Sequence, residues 1–170
     1  MNAGKTPEHY MRQTLTLAAE ALELGEFPIA AIVVFDDRII AAATASEQRE
    51  GRFLGHAELV ALEEADKLLA LGDRHDTKLF TNLEPCLMCM GAAMSFFLGE
   101  IYYGLESPGD GAVDLVRGWV RKEDDIPGYQ LPRITGGLLR EESIKLFEEY
   151  VSRRPPGPMR EWAETLTKLR

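Results

Sequence analysis

Cysteine is scarce in this 170-residue chain: there are two, Cys86 and Cys89, both inside the stretch EPCLMC. Two cysteines cannot build a disulfide framework, and a bridge between neighbours this close would barely constrain the unfolded chain. A basic excess is missing as well. The 19 lysines and arginines face 28 aspartates and glutamates, a formal charge of −9, whereas nucleic-acid-binding domains usually show a net basic balance or a basic stripe. The balance lowers the expectation of a nucleic-acid partner, and the nearest thing to a local basic patch is Arg153, Arg154, Arg160, Lys168 and Arg170 near the C-terminus. No apolar run approaches the roughly 20 residues of a membrane span. The opening MNAGKTPEHY lacks a hydrophobic signal core, so a cytoplasmic location away from membranes is expected.

What is present suits one globular domain with a sizeable core: 45% of residues are apolar and 28% charged. Thr6 and Pro7 form a helix start, and Met11, Leu15, Ala18 and Leu22 follow at helical spacing up to Gly25. FPIAAIVVF reads as a buried strand, Asp36-Asp37 as a turn, and RIIAAATA as the strand that pairs back. SEQREGRFLG reads as polar loop. A helix is expected from about His56 to Leu71, stopped by Gly72. TKLFTN is a strand, PCLMCMGAAMSFFLG an apolar helix opening near Pro85, and EIYYGL another strand. This alternation argues for an α/β sheet covered on both faces. The pattern fades after Leu105. A short helix is expected near Ala112–Arg117, and the long segment Gly118–Pro132 has the length of a lid or binding loop. REESIKLFEEYV restores a helix, RRPPGP is a linker, and MREWAETLTKLR is a last amphipathic helix through Trp162, Leu166 and Leu169. The division expected is a domain over 1–151, then 152–170 as linker and helix, packed on the same chain or on a partner copy.

The cysteines admit three readings: a redox pair, part of a metal site, or two small core residues. TNLEPCLMC lacks the context of a thioredoxin-like redox pair. At i and i+3 on a helix the two share a face, and a helix N-terminus favours thiolate, the metal-binding form. Of the three histidines, His9 and His75 sit in polar surroundings, while His56 opens a helix with Glu58 two positions on, in HAE. Cys86, Cys89 and neutral His56 would give Zn²⁺ three protein ligands and leave a position for water, the arrangement of a catalytic site. Such a water can have its pKa lowered to about 7. Glu58, in the first helical turn, would carry protons between that water and a substrate nitrogen and would not itself bind zinc.

Together, H-x-E followed by P-C-x-x-C is the signature of zinc nucleobase deaminases. Through GEFPIAAIVV, HAELVAL and TNLEPCLMCMGAAM the chain resembles the cytidine/deoxycytidylate deaminase superfamily, most closely the branch of tRNA adenosine deaminases and guanine deaminases. The likeness runs from about Tyr10 to Gly104 and returns at GGLLREESIKLFEEY. It implies a three-layer α-β-α fold with a mixed five-stranded sheet flanked by helices. It also implies one Zn²⁺ per subunit on His56, Cys86 and Cys89, Glu58 as proton shuttle, hydrolytic release of ammonia, and a homodimer. The branch usually carries an Asn-Arg pair after the second strand. Here that region reads TASEQRE, and no asparagine lies between Asn2 and Asn82. Where the tRNA enzymes often have a lysine after the fourth strand, this chain has SPGDGA. The expected substrate is therefore a small aminated heterocycle (a purine or pyrimidine base, a nucleoside, a pterin or a triazine), with a flipped-out tRNA adenosine as the alternative. A non-catalytic zinc- or partner-binding domain is a third reading, which the intact Glu58 opposes. Candidate substrate contacts are Ala57, Glu84 and Pro85 beside the ligands, and the loop acids Glu106 and Asp114, with Asp110 between them. Phe53, Trp119 and Tyr129 read as packing residues. Met88, Met90, Met94, Phe96 and Phe97 read as core or as the dimer contact.

Overall fold

A computed structural model describes residues 5–120 and 128–169. The part of the Gly118–Pro132 segment over 121–127, and Arg170, lie outside the described residues.

The chain runs α1 (Pro7–Glu23), β1 (Ala30–Phe35), β2 (Arg38–Thr44), α2 (Glu47–Glu50), α3 (Ala57–Asp66), a 3-10 turn (Leu71–Asp76), β3 (Lys78–Leu83), α4 (Leu87–Ser95), β4 (Glu100–Leu105), α5 (Val113–Arg117), β5 (Arg133–Thr135), α6 (Arg140–Arg153) and α7 (Pro158–Thr167). The sheet order is β2-β1-β3-β4-β5. β1 pairs antiparallel with β2 and β3, while β3, β4 and β5 run parallel. The hairpin turn places Asp36 and Asp37 at φ 49° and 56°, both left-handed as a two-residue type I′ turn requires.

Strand alternation sorts side chains to two faces. Ala31, Val33, Leu79 and Ile101 pack with Ala57, Ala61 and Leu62 of α3 and Met90 and Met94 of α4. Ile32, Val34 and Phe80 face the other way, against Tyr10 of α1. A further cluster joins Leu22, Phe27, Leu83 and Leu105 to Ile144, Phe147 and Tyr150 of α6 and Ala163 and Leu166 of α7. α7 thus packs on α6 of its own chain.

Three elements differ from the sequence expectation, and one open alternative is narrowed. β5 is three residues long, too short for a period-2 signal. SEQREGRFLG contains the helical turn α2. α3 stops at Asp66 because Leu68 and Leu71, which would have extended its apolar face, find nothing to cover them and stay exposed. The methionine stripe is largely internal, with Met90, Met94 and Phe96 buried in this chain's own core.

Candidate active site

α1 ends in a Schellman motif: Gly25, at φ 81°, donates to the Leu22 carbonyl and Glu26 to the Ala21 carbonyl. That turn sends Glu26 inward, where it is fully buried. One carboxylate oxygen accepts from the Phe27 N–H at 3.0 Å. The other accepts from the Gln48 and Arg49 N–H groups at 3.0 and 2.9 Å. These are otherwise unpaired donors of the first turn of α2, so Glu26 fixes that short helix against the strand ends. Asn82 ties the FPIA loop to β3 in the same manner, its side-chain amide bonding the Ala30 N–H and the Pro28 carbonyl.

The starts of α3 and α4 converge at the sheet end. His56 is the cap residue of α3 and Cys86 of α4, both with extended backbone and neither spending its side chain on a cap hydrogen bond. The donor atoms of His56, Cys86 and Cys89 lie within 4.8 Å of one another. His56 Nδ1 stands 3.5 Å from Cys86 Sγ. A tetrahedral ion with Zn–S of about 2.3 Å and Zn–N of about 2.0 Å sets that separation at roughly 3.5 Å, so the residues fit zinc. The charge pattern fits too. Contact with Cys89 and His56 holds the Cys86 thiol down at about 4. The hydrogen bond to Cys86 lifts His56 to about 9. Cys86 and burial push the Cys89 thiol up. Without metal the cluster is a thiolate–imidazolium pair beside a thiol, and a metal ion would displace the remaining protons.

Glu58 is buried beneath this group. Its Oε1 accepts from the Thr81 hydroxyl at 3.2 Å, and its Oε2 takes the weak Cys89 thiol donor at 3.6 Å. Burial, reinforced by the Cys86 charge, pushes its carboxyl up to about 7, the range that suits a group giving and taking protons at neutral pH.

A cavity of ≈ 940 Å³ opens in front, near the upper end of the roughly 300–1,000 Å³ usual for small-ligand clefts. His56, Ala57, Glu58, Glu84 and Cys86 line it. Phe27, Leu83 and Tyr150 supply apolar wall, and Arg154–Arg160 with Trp162 form the far side. That far side is anchored by Arg154 on the Gly25 carbonyl and by Arg160 on the Val151 carbonyl.

Other candidates fall elsewhere. Glu84 lines the cavity, but both its oxygens are engaged, by Ser107 N–H at 3.0 Å and Val113 N–H at 2.9 Å. It pins the loop after β4, and Gly111 allows this because a Cβ there would strike that carboxylate. Pro85, Glu106 and Asp114 are not among the lining residues. Pro85 gives its carbonyl to Ala112 N–H, Glu106 is clamped by Arg140 through two guanidinium nitrogens, and Asp114 pairs with Arg117 on the surface. Asp110 lines the cavity while accepting from Ser107. Phe53 lines it too, largely exposed. Sequence reasoning missed Glu47, Gln48, Thr81 and Trp162. Thr81 had one visible signal, a lone hydroxyl between Leu79 and Leu83 on an apolar strand face.

Residues 5–105 match the family model for the cytidine and deoxycytidylate deaminase zinc-binding region. The chain belongs to this family. Over 140 residues the chain is 35% identical to a tRNA(Ile)-lysidine synthase of Deinococcus radiodurans, a match covering 82% of this chain but 23% of that protein. It is 30% identical over 145 residues to a tRNA-specific adenosine deaminase of Rickettsia felis, covering 84% of this chain and 99% of the relative. Among solved structures, one from studies of A-to-I editing by tRNA:A34 deaminases superposes with a TM-score of 0.67 at 31% identity, covering 81% of this chain and 98% of that one. A guanine deaminase from Nitrosomonas europaea gives 0.63 at 27% identity, with 88% of each chain covered. The α/β fold with a mixed five-stranded sheet between helices is shared with these neighbours. Zinc is the family's metal, and His56, Cys86 and Cys89 are its candidate ligands here. No helix among the described residues is long and apolar enough to cross a membrane.

Proposed function

We propose that this deaminase replaces the exocyclic amine of a small aminated heterocycle with a carbonyl oxygen, consuming one water and releasing ammonia. The observation that carries the reading is the buried Glu58 carboxyl beside the three-ligand cluster, at the floor of a cavity walled on its far side by the chain's own C-terminal segment. A zinc ion held by His56, Cys86 and Cys89 would act as a Lewis acid, bringing the pKa of a water there to about 7. Glu58 takes the proton that water gives up. It delivers it to the ring nitrogen beside the reacting carbon, then takes the second proton from the added hydroxyl as the carbonyl forms and passes it to the leaving amine. Thr81 keeps the carboxylate aimed by donating to Oε1. Phe27, Leu83 and Trp162 give the ring a dry apolar wall, which strengthens each of these polar contacts.

A second reading, deamination of a tRNA adenosine, is favoured by what the relatives are called. Against it stand the acidic chain and the acidic residues around the cavity, Glu47, Glu84 and Asp110. One screen separates the two. Ammonia release is measured over guanine, cytosine, adenine, their nucleosides, pterins, aminotriazines and an anticodon stem-loop. Activity on a small ring that vanishes in Glu58→Ala with zinc retained supports the first reading. Activity on the stem-loop alone, falling steeply with salt, replaces it with the second. Unchanged turnover in Glu58→Ala sinks the mechanism.

The homodimer belongs to the same proposal. Leu87 and Leu115 are exposed near the active-site loop, with Trp119 and Val120 just beyond α5. A second copy would cover them, and a sedimentation profile showing only monomer at micromolar concentration would remove it.

A further inference from the structure

Glu47 is the one acid of the cavity wall, among the described residues, with a buried carboxylate oxygen that meets no hydrogen-bond partner. Its Oε1 lies 3.7 Å from His56 Nε2, an ion-pair distance too long for a hydrogen bond. Its Oε2 is buried and meets no hydrogen-bond partner. A buried carboxylate oxygen left without a donor keeps its full desolvation cost, and such atoms in native proteins usually await a water, an ion or a ligand. The side chain has not drifted there. Glu47 opens α2, and α2 is held by Glu26, itself delivered by the Gly25 turn. The chain has committed a fully buried carboxylate to fixing another carboxylate in the substrate cavity.

We propose that Glu47 selects the substrate by accepting a hydrogen bond from a ring N–H or second amine of the heterocycle, a donor other than the amine that leaves. This rests on the small-ring deaminase reading and narrows it. Free bases carry such donors: cytosine has a ring N–H besides its 4-amine, and guanine has ring N–H groups besides its 2-amine. Adenosine in RNA offers only ring acceptors once its leaving amine is set aside, so Glu47 would oppose its lone pairs. A site built to bond a substrate N–H rejects analogues lacking it far more strongly than an apolar wall rejects a change of size.

Matched substrates test this: cytosine against 1-methylcytosine, and guanine against 1-methylguanine and 9-methylguanine, which between them block each ring N–H, with kcat/KM and bound zinc measured for the native enzyme, Glu47→Gln and Glu47→Leu. The expected result is a preference of about 10- to 100-fold for the unmethylated base, as loss of a hydrogen bond to a charged group implies. That preference should shrink in Glu47→Gln, which keeps one acceptor, and vanish in Glu47→Leu, with zinc content constant throughout. Turnover of small bases with the preference intact in Glu47→Leu overturns the proposal alone. So does zinc loss in both variants with the preference intact in the remaining holoenzyme, because Glu47 would then serve to orient His56. Deamination of the tRNA stem-loop with no small base turned over overturns both this proposal and the reading beneath it.

Discussion

Replacing Glu26 by Gln should loosen the substrate wall while leaving the metal cluster intact. The carboxylate accepts three N–H groups, from Phe27, Gln48 and Arg49, in a site with no solvent access. Gln is isosteric but has a single acceptor oxygen. If that oxygen stays on Gln48 and Arg49, the amide NH₂ confronts the Phe27 N–H, donor against donor. The loss then combines the charge assistance of two bonds with one buried N–H left unpaired. Each is worth about 1–3 kcal/mol, and caps measured alone give about 0.5–2, so a total near 3 kcal/mol is expected. For a chain of this length that is roughly 6–12 °C in Tm, readable by circular dichroism on zinc-loaded protein. The functional signature should be a raised KM with zinc stoichiometry unchanged, since His56, Cys86 and Cys89 sit on other elements. A Tm within 2 °C of the native protein, or a variant that loses zinc as well, would refute the chain of support from Gly25 through Glu26 to α2.

Three further outcomes can be checked. Thr81→Val removes the hydroxyl that aims Glu58 and should lower kcat about 10-fold, the worth of one buried hydrogen bond, with KM little changed and Thr81→Ser restoring most of it; equal activity in Thr81→Val would show that Glu58 is held otherwise. In metal-free protein near pH 6, iodoacetamide should label Cys86, a half-buried thiolate whose pKa lies near 4, and spare the buried Cys89; mass spectrometry should find the label excluded after zinc is added, and labelling that zinc does not suppress would argue against Cys86 as a ligand. Arg140 holds the Glu106 carboxyl below its ordinary value of 4.5. A depressed folded-state value adds stability that is fully present above the unfolded value and lost as pH falls through the folded one. Below about pH 4.5 the native protein should therefore lose stability more steeply than Arg140→Gln in urea titrations, and parallel acid limbs would refute the linkage.

The convergence of the candidate site was legible in the sequence because the chemistry proposed for it fixes residue types and spacings locally. His56 and Glu58 share one helix start, Cys86 and Cys89 another, and helix-start signals are carried within a few residues of each. α1, α6 and α7 were legible for a related reason, since each wears its apolar stripe in its own sequence. α7 shows the limit of that signal. Trp162, Leu166 and Leu169 announced a buried face, but only the structure shows that the face lies on Phe27 and α6, which makes the preceding RRPPGP segment a wall of the cavity. α3 was read too long because Leu68 and Leu71 continue the apolar spacing, and nothing local says that no neighbour reaches them.

The specificity residues failed to show for a different physical reason. Glu47 matters through Glu26, 21 positions earlier, and an acid in a polar loop has no local mark that separates it from a solvated one. The same holds for Glu84, whose nearness to Cys86 suggested substrate contact although its two oxygens hold the backbone of the loop after β4. Glu84 is fully engaged and Glu47 is not. In a cavity where carboxylates are many, unspent hydrogen-bonding capacity distinguishes a recognition group from a brace, and that capacity exists only once the chain has folded. The proposed catalytic half of the site is thus written as a motif. The half that chooses the substrate is written as a relay of backbone contacts, beginning at a left-handed glycine and ending at the oxygen of Glu47 that no protein donor meets among the described residues.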